Sequence, residues 1–345
     1  MVEVFHIEIK GGYIMEAFKA IVVKEIDGVI TYAKEDINLS ALSNGEVIIK
    51  VAYSSVNYKD SLAVMKNGGV IRKYPMIPGI DLSGVIVSTS SNEFMVGQHV
   101  IVTGFDLGMT HTGGFSEYAC VPAKWVVKLP ENLSLKDSMI IGTAGFTAGI
   151  SIESLEEMGM SSQSSPNILV TGATGGVGSL AIQLLAQNGY RNITALTRKE
   201  EYKQKIMNLG ASNVISLEDI TSEKTRPLMK QKYHFVLDTV GGELLTILIP
   251  QIHYGGSIAM CGNVGGINFS STVLPFILRG INLLGIDSVN YPIEKRNLIW
   301  KRFSQEWHIF ENTIVNEIKL EQLSSVFNEL QKGTHVGRTI VKLTD

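Results

Sequence analysis

From Phe18 to about Leu133 apolar and polar residues alternate over short stretches that turn residues interrupt, which is the period of half-buried strands. Val47-Ile48-Ile49-Lys50-Val51 follows Asn44-Gly45, a hairpin-type turn pair. Residues 85–87 and 99–102 flank Val96-Gly97, and the stretch that opens at Gly113-Gly114 returns to alternation through Val121. This predicts a mostly β, barrel-like domain with few helices. From Ser134 the period changes, and helical segments alternate with β-rich runs at 168–171, 193–197, 214–216, 235–238, 257–261 and 283–286. Short strands with helices between them predict an α/β doubly wound parallel sheet. The segment from Arg296 to about Leu330 reads as helical, and 339–343 as a closing strand that pairs back with the first domain.

One junction in the second region carries chemistry. The run Ile168-Leu169-Val170 ends in Thr171-Gly172-Ala173-Thr174-Gly175-Gly176-Val177-Gly178, and a helix-period apolar pattern starts at once. Strand, glycine turn and helix in that order predict a dinucleotide site. Gly172 allows the tight turn, Gly175 lets the backbone approach a pyrophosphate, and Gly178 lets helix and strand pack closely. Thr174, Gly176 and Val177 complete the candidate phosphate cradle, where the helix N-terminus offers free N–H groups. About 20 residues on, an NAD site keeps an acidic residue for the ribose hydroxyl. Here Thr197-Arg198-Lys199 stands instead, with no carboxylate before Glu200. A guanidinium and an ammonium suit a 2′-phosphate, so the expected cofactor is NADPH. Asn213, just before the next β-rich run, joins the candidate cofactor set.

Composition narrows the remaining classes. The 345 residues suggest two domains; hydrophobic residues make up 45%, charged residues 18%, and the net charge is −3. No basic block points to nucleic acid, and no apolar run reads as a membrane span. The only cysteines, Cys120 and Cys261, lie outside any Cys-x-x-Cys spacing, which argues against a four-thiolate zinc lobe or a disulfide framework. The expected location is the cytoplasm. Residues 1–14 lack the order of a secretory signal. Lys10-Gly11-Gly12 can be encoded by a purine-rich ribosome-binding sequence ahead of Met15, so residues 1–14 are expected to be a non-native leader.

Phrases along nearly the whole chain after Met15 carry a family resemblance. They include Ser55-Val56-Asn57-Tyr58-Lys59-Asp60, Pro75-Met76-Ile77-Pro78-Gly79-Ile80-Asp81, Ile141-Gly142-Thr143-Ala144-Gly145-Phe146-Thr147, Asp238-Thr239-Val240-Gly241-Gly242 and Tyr254-Gly255-Gly256. With Pro275-Phe276-Ile277-Leu278-Arg279-Gly280 and Gly285-Ile286-Asp287-Ser288, the chain resembles the medium-chain dehydrogenase/reductases. The resemblance is to the zinc-free YhdH/YhfP quinone oxidoreductase branch, which includes NADPH-dependent acrylyl-CoA reductases. It implies a GroES-like catalytic domain over 15–133, rejoined by 296–345, and an NADP-binding Rossmann domain over 134–295. In the zinc relatives a Gly-His-Glu segment supplies metal contacts; the matching phrase here is Pro78-Gly79-Ile80-Asp81, and none of the seven histidines has ligand spacing. No metal is expected. His111, beside Thr112-Gly113-Gly114, is the histidine to watch, although a loop setting predicts a solvated ring.

Reduction of an activated C=C without a metal needs a placed nicotinamide, a donor for the developing enolate oxygen and a proton source. Tyr58 is the candidate donor and also a candidate nicotinamide contact, and Asn57 could orient either group. Asp81 could orient Tyr58 or Lys59, relay a proton, or cap the segment Leu82-Ser83-Gly84. Thr143 and Thr147 are placed for the pyrophosphate or ribose, and Cys261, Gly262, Asn263 and Ser288 for the strand ends where ligands bind. Arg338 either meets cofactor phosphates or substrate, or is a surface charge. Lys59, Lys66, Arg72 and Lys73 form a modestly basic patch that does not by itself choose between CoA esters and quinones. The expected reaction is NADPH-dependent reduction of acrylyl-CoA or a short 2-enoyl-CoA. The alternatives are NADPH:quinone reduction and an NADPH-binding regulatory role. A homodimer paired through the sheet edge at 283–286 is implied by the family.

Overall fold

A computed structural model of the chain describes residues 17–222, 224–308 and 312–344; the expected leader and the start at Met15 lie outside them. The described residues form two compact units, one within 17–143, 289–304 and 315–344, the other within 144–288 and 305–314.

The first unit opens with β1 (Phe18–Ile26) and β2 (Val29–Ile37), an antiparallel pair closed by a turn at Asp27 and Gly28, both with positive φ. β3 (Val47–Val56) is its central strand; Val47, Ile49 and Val51 are fully buried on one side, as alternation predicts. Then come α1 (Tyr58–Ala63), β4 (Asp81–Thr89), β5 (His99–Thr103), β6 (Tyr118–Val121) and β7 (Val127–Lys128). β3 pairs antiparallel with β4 and β6, and β4 with β5, across a turn where Gly97 takes positive φ. The Asn44-Gly45 pair does not close a hairpin: β2 pairs only with β1 among the described residues. Gly45 is needed for closeness instead, since a Cβ there would lie 2.3 Å from the Val121 carbonyl carbon.

The element α2 (Leu135–Glu157) is not one helix, because Gly142 leaves helical geometry at φ +48°. It is long and apolar enough to cross a membrane by length and composition, which corrects the expectation that no run qualifies. The glycine break and 83% burial of its most apolar stretch inside the protein mark it as core.

The second unit continues with β8 (Ile168–Val170), α3 (Gly176–Gln187), β9 (Ile193–Leu196), α4 (Lys203–Asn208), β10 (Asn213–Ile215) and α5 (Leu217–Thr221). β11 (Tyr233–Asp238), α6 (Glu243–Leu248), β12 (Ile252–Met260), α7 (Leu274–Arg279) and β13 (Asn282–Gly285) complete it. The strands form one parallel sheet in the order β10-β9-β8-β11-β12-β13, reversing direction of travel at β8. The expected doubly wound sheet is therefore present, with strands at all the predicted runs. Burial of Leu169, Val236, Ile258 and Leu248 joins the sheet to its helices.

The chain then adds α8 (Ile293–Gln305), β14 (Val315–Ile318), α9 (Leu323–Lys332) and β15 (Arg338–Lys342). β14 corrects the wholly helical reading of this stretch; it pairs parallel to β15, which pairs antiparallel to β3 as expected of a closing strand. Phe327 of α9 packs with Val23, Val56, Phe115 and Val341 in the core of the first unit.

Candidate functional site

In the first unit the candidate residues meet around Asp81, the first residue of β4 and fully buried. Its carboxylate accepts from Ser55 Oγ at 2.5 Å, Asn57 Nδ2 at 2.8 Å, Thr143 N–H at 2.9 Å and Thr143 Oγ1 at 2.5 Å. Three of these bonds go to Oδ2 and one, from Thr143 Oγ1, to Oδ1, so both oxygens are engaged within the protein. None of those donors is Tyr58 or Lys59, so the expected orienting of either residue is corrected. Capping, by contrast, is present but aimed elsewhere: Asp81 holds the first free N–H after the break in α2, not the segment 82–84.

Arg338 does the opposite job at the same break. It is buried at 2% exposure, and its Nε donates to the Ile140 carbonyl at 2.9 Å and Nη2 to the Met139 carbonyl at 3.4 Å. A cation thus meets the carbonyl end of the first half of α2 and an acidic side chain the N–H end of the second, as helix dipoles favour. Nη1 of Arg338 also donates to Asn57 Oδ1 at 3.3 Å, so Asn57 bridges the arginine and Asp81 with its amide orientation set. Burial pulls the Arg338 guanidinium below the usual arginine range, while Asp81 and Asp60 oppose that shift. Arg338 is a buried framework cation and not the surface charge that was one reading of its sequence.

Gly142 sits at the centre of this cluster. A Cβ there would lie 2.5 Å from Ser55 Oγ, 2.7 Å from Arg338 Nη2 and 2.8 Å from Asp81 Oδ2. Glycine is required both for that space and for its positive φ.

Tyr58 is the first residue of α1 and half-buried, and its hydroxyl has no hydrogen-bond partner among the described residues. Its backbone position is set by a capping box between Asn57 and Asp60, in which Asn57 N–H donates to Asp60 Oδ2 at 2.8 Å. Asp60 Oδ1 accepts from Ile80 N–H at 3.0 Å, tying α1 to the residue before Asp81. Burial pushes the Asp60 carboxyl up to about 7, with Asp81 adding to the shift and the backbone donors opposing it. Asp60 was not among the expected site residues, although the Asn-x-x-Asp spacing is a capping signature that could have found it. Ser55 and Gly142 were missed for another reason: their roles exist only through partners distant in the chain.

His111 is buried, not solvated. Its ring nitrogens face the carbonyls of Thr112 and Asn44, both at 3.1 Å, and the ring stands edge-on to Trp125 at 4.9 Å. Among the described residues no three His, Cys, Asp or Glu side chains are grouped to hold a metal ion.

In the second unit the glycine turn has the form that its sequence predicts. Gly172 takes φ +59°, and a Cβ on Gly178 would lie 2.4 Å from the Gly172 carbonyl oxygen. Gly175 meets only that same oxygen, at 3.2 Å, and is otherwise open, so the backbone there can approach a phosphate. Gly176 and Val177 begin α3 with their side of the turn half-buried, while Thr174 is buried with its hydroxyl 3.5 Å from that of Thr197. Ala173 N–H donates to the Leu196 carbonyl, so the turn and the end of β9 are held together. Thr197 then accepts from Lys199 N–H at 3.0 Å, and Arg198 extends into solvent with no hydrogen bond or ion pair among the described residues.

Asp238 clasps the neighbouring strand ends: Thr171 Oγ1 donates to it at 2.6 Å and Gly241 N–H at 2.9 Å. Burial raises its carboxyl above the usual range. Cys261 N–H and Sγ both approach the Asp238 carbonyl, and burial pushes its thiol up to about 12, with Asp238 adding to the shift. Gly262 follows so closely that a Cβ would lie 1.9 Å from the Thr239 carbonyl oxygen, and Asn263 is exposed. Ser288 is half-buried beyond β13; Thr147 is buried on α2, its carbonyl accepting from Ser151 Oγ. Asn213 departs from expectation. It opens β10 opposite Thr194, at the amino end of the strands, whereas the glycine turn and Arg198 lie at their carboxyl ends.

Residues 43–131 match the alcohol dehydrogenase GroES-like domain family, and residues 176–305 match the zinc-binding dehydrogenase family. The chain is 44% identical to YhfP of Bacillus subtilis, provisionally named a quinone oxidoreductase, over 93% of this chain and 97% of that one. The crystal structure of that protein with NAD bound superposes at a TM-score of 0.91, with 95% of this chain and 99% of that one covered at 43% identity. The acrylyl-CoA reductase AcuI of Ruegeria pomeroyi is 39% identical over 94% of this chain and 98% of its own length. The structure of Escherichia coli YhdH with bound NADPH has a TM-score of 0.90 at 38% identity, covering 94% and 100% of the two chains.

Proposed function

The chain belongs to the medium-chain dehydrogenase/reductase superfamily, and from that premise we propose that it is an NADPH-dependent reductase of an activated C=C, with acrylyl-CoA or a short 2-enoyl-CoA as acceptor. The observation that carries this reading is the open glycine turn joined to an exposed, unpartnered Arg198, with no carboxylate in the place where NAD sites keep one. Gly175, Gly176, Val177 and Gly178 would hold the pyrophosphate, and Thr197, Arg198 and Lys199 the adenosine phosphate. NADPH supplies the hydride when bound.

The chain's own residues do the rest. Tyr58 offers a phenol hydroxyl that no neighbour consumes among the described residues, so it can donate to a developing enolate oxygen or pass a proton. Asn57, with its amide fixed between Arg338 and Asp81, keeps the start of α1 in register for that task. Asp81 and Arg338 act as positioning residues; with both oxygens committed to internal donors, Asp81 moves no proton.

Zinc does not fit the residues present. Asp81 stands where the zinc relatives have a metal-contacting segment, but both its oxygens are already bonded by Ser55, Asn57 and Thr143. NADPH:quinone reduction is the second reading, favoured by the 44% identity to YhfP. A homodimer is part of the proposal: β13 ends the sheet, and Val273, Ile277 and Leu278 around its neighbouring helix α7 are exposed. A cytoplasmic location completes it.

Steady-state rates with NADPH test the reading. Higher kcat/KM for acrylyl-CoA than for benzoquinone is expected; the reverse order would transfer the assignment to quinones, and no oxidation with either would end both.

A further inference from the structure

The first unit contains a stretch of unusual charge. From Ser61 to Ile80 the chain has no carboxylate, yet it carries Lys66, Arg72 and Lys73 in a protein whose net charge is −3. Ion pairs elsewhere in the same unit tie Lys19 to Asp36, Lys24 to Glu35, Lys34 to Glu321 and Lys136 to Glu317. Lys66, Arg72 and Lys73 are exposed and have no hydrogen bond or ion pair among the described residues.

The segment that carries them is anchored. Met65 N–H donates to the Leu62 carbonyl and Gly68 N–H to the Met65 carbonyl, both at 3.1 Å. Gly68 lies so close to the end of α1 that a Cβ would sit 1.8 Å from the Leu62 oxygen. Ile71 is buried with Val64, Met76 and Phe327. The three cations therefore project from a base fixed on the core, on the loop that directly follows the helix of Tyr58. Unpaired cations on an ordered base attract a multiply charged anion, and they lose that attraction when salt screens them.

We propose that the loop 65–74 docks the phosphates of the acceptor's coenzyme A handle, so that the protein selects a phosphorylated thioester by charge far from the reacting carbon. The proposal rests on the enoyl-CoA reading above and specifies where that substrate class is recognised. Remote phosphate contacts of this kind favour the full ester over an uncharged acyl thioester or a quinone.

The test compares the full-length wild type with the variant Lys66→Glu/Arg72→Glu/Lys73→Glu, using NADPH and two acceptors. One is acrylyl-CoA; the other is the acrylyl thioester of N-acetylcysteamine, which lacks every phosphate. The variant should lose about tenfold or more in kcat/KM for acrylyl-CoA, carried by KM, and keep its rate with the truncated ester. Wild-type kcat/KM for acrylyl-CoA should also fall with added salt, while that of the charge-reversed variant should not fall and should rise as screening relieves repulsion. An equal change with both thioesters, or none with either, would make the loop a plain solvated face and overturn the proposal. Should the triple variant not fold, the neutral single variants Lys66→Gln and Arg72→Gln give the same contrast in smaller steps. If wild type reduces neither thioester, the enoyl-CoA reading itself fails. Calorimetric titration with 3′,5′-ADP still judges the loop then: binding lost in the variant supports it, and equal or absent binding refutes it.

Discussion

The polar cluster of the first unit and the glycine turn of the second treat hydrogen-bond donors in opposite ways. Around Asp81 the donors are spent within the protein, and Asp81, Ser55 and Arg338 are out of water while Asn57 and Thr143 are half-buried. Around Gly175 the backbone is left open and Arg198 points into solvent with nothing to hold. A buried ion that is fully bonded gives geometry, since any loosened partner leaves an unpaired charge. An exposed donor with no partner gives affinity, since a ligand displaces only water. Tyr58 lies between the two cases: its backbone is locked by the capping box, and its hydroxyl is free.

That contrast can be broken most severely at Gly142. Gly142→Ala forces a positive φ on alanine and a Cβ into three polar atoms, so a stability loss of about 2–4 kcal/mol is expected. Denaturant unfolding would read it, and a loss below about 0.5 kcal/mol would mean that the cluster yields easily. Next, Tyr58→Phe removes a hydroxyl without a partner among the described residues; kcat should fall about 100-fold with unchanged NADPH affinity, and unchanged kcat would take Tyr58 out of the reaction.

Asp60 gives a subtler contrast. Its carboxyl titrates at about 7 in the folded protein against an ordinary value of 3.8. Folding therefore favours its protonated form, and that contribution is present below about pH 4 and lost as pH rises to about 7. The substitution Asp60→Asn removes the titrating group and should flatten the decline, so the variant's stability relative to wild type rises by at most about 2–3 kcal/mol between pH 5 and pH 8. Urea midpoints at the two pH values measure this, and parallel curves would remove Asp60 as a titrating group. At the open end of the comparison, Arg198→Ala should raise the KM for NADPH about tenfold and leave that for NADH unchanged. Equal changes would defeat the cofactor assignment.

Much of the molecule was legible because local signals were repeated. The parallel sheet announces itself through apolar runs at 168–171, 193–197, 235–238 and 257–261, each bounded by turn residues. The phosphate turn is legible because its glycines answer to neighbours within the same few residues: Gly178 is constrained by Gly172. β14 escaped because four residues carry too little period, and they become a strand only by pairing with β15. His111 was misjudged because its loop is covered by Trp125, which no local pattern reveals. Asn213 was misplaced because sequence distance does not say which end of a strand a residue occupies in the sheet.

The order of residues alone determined the two fold classes, the glycine turn and the cationic place beside it, since each depends on period, backbone freedom or charge within a short span. Tertiary structure decided what Arg338, Asp81, Ser55 and Gly142 do. Their partners lie far apart in the chain, and a buried charge takes its role from the groups that surround it. The same composition of side chains, left in water, would form none of these contacts, because only exclusion of solvent makes each donor's choice of acceptor costly to change.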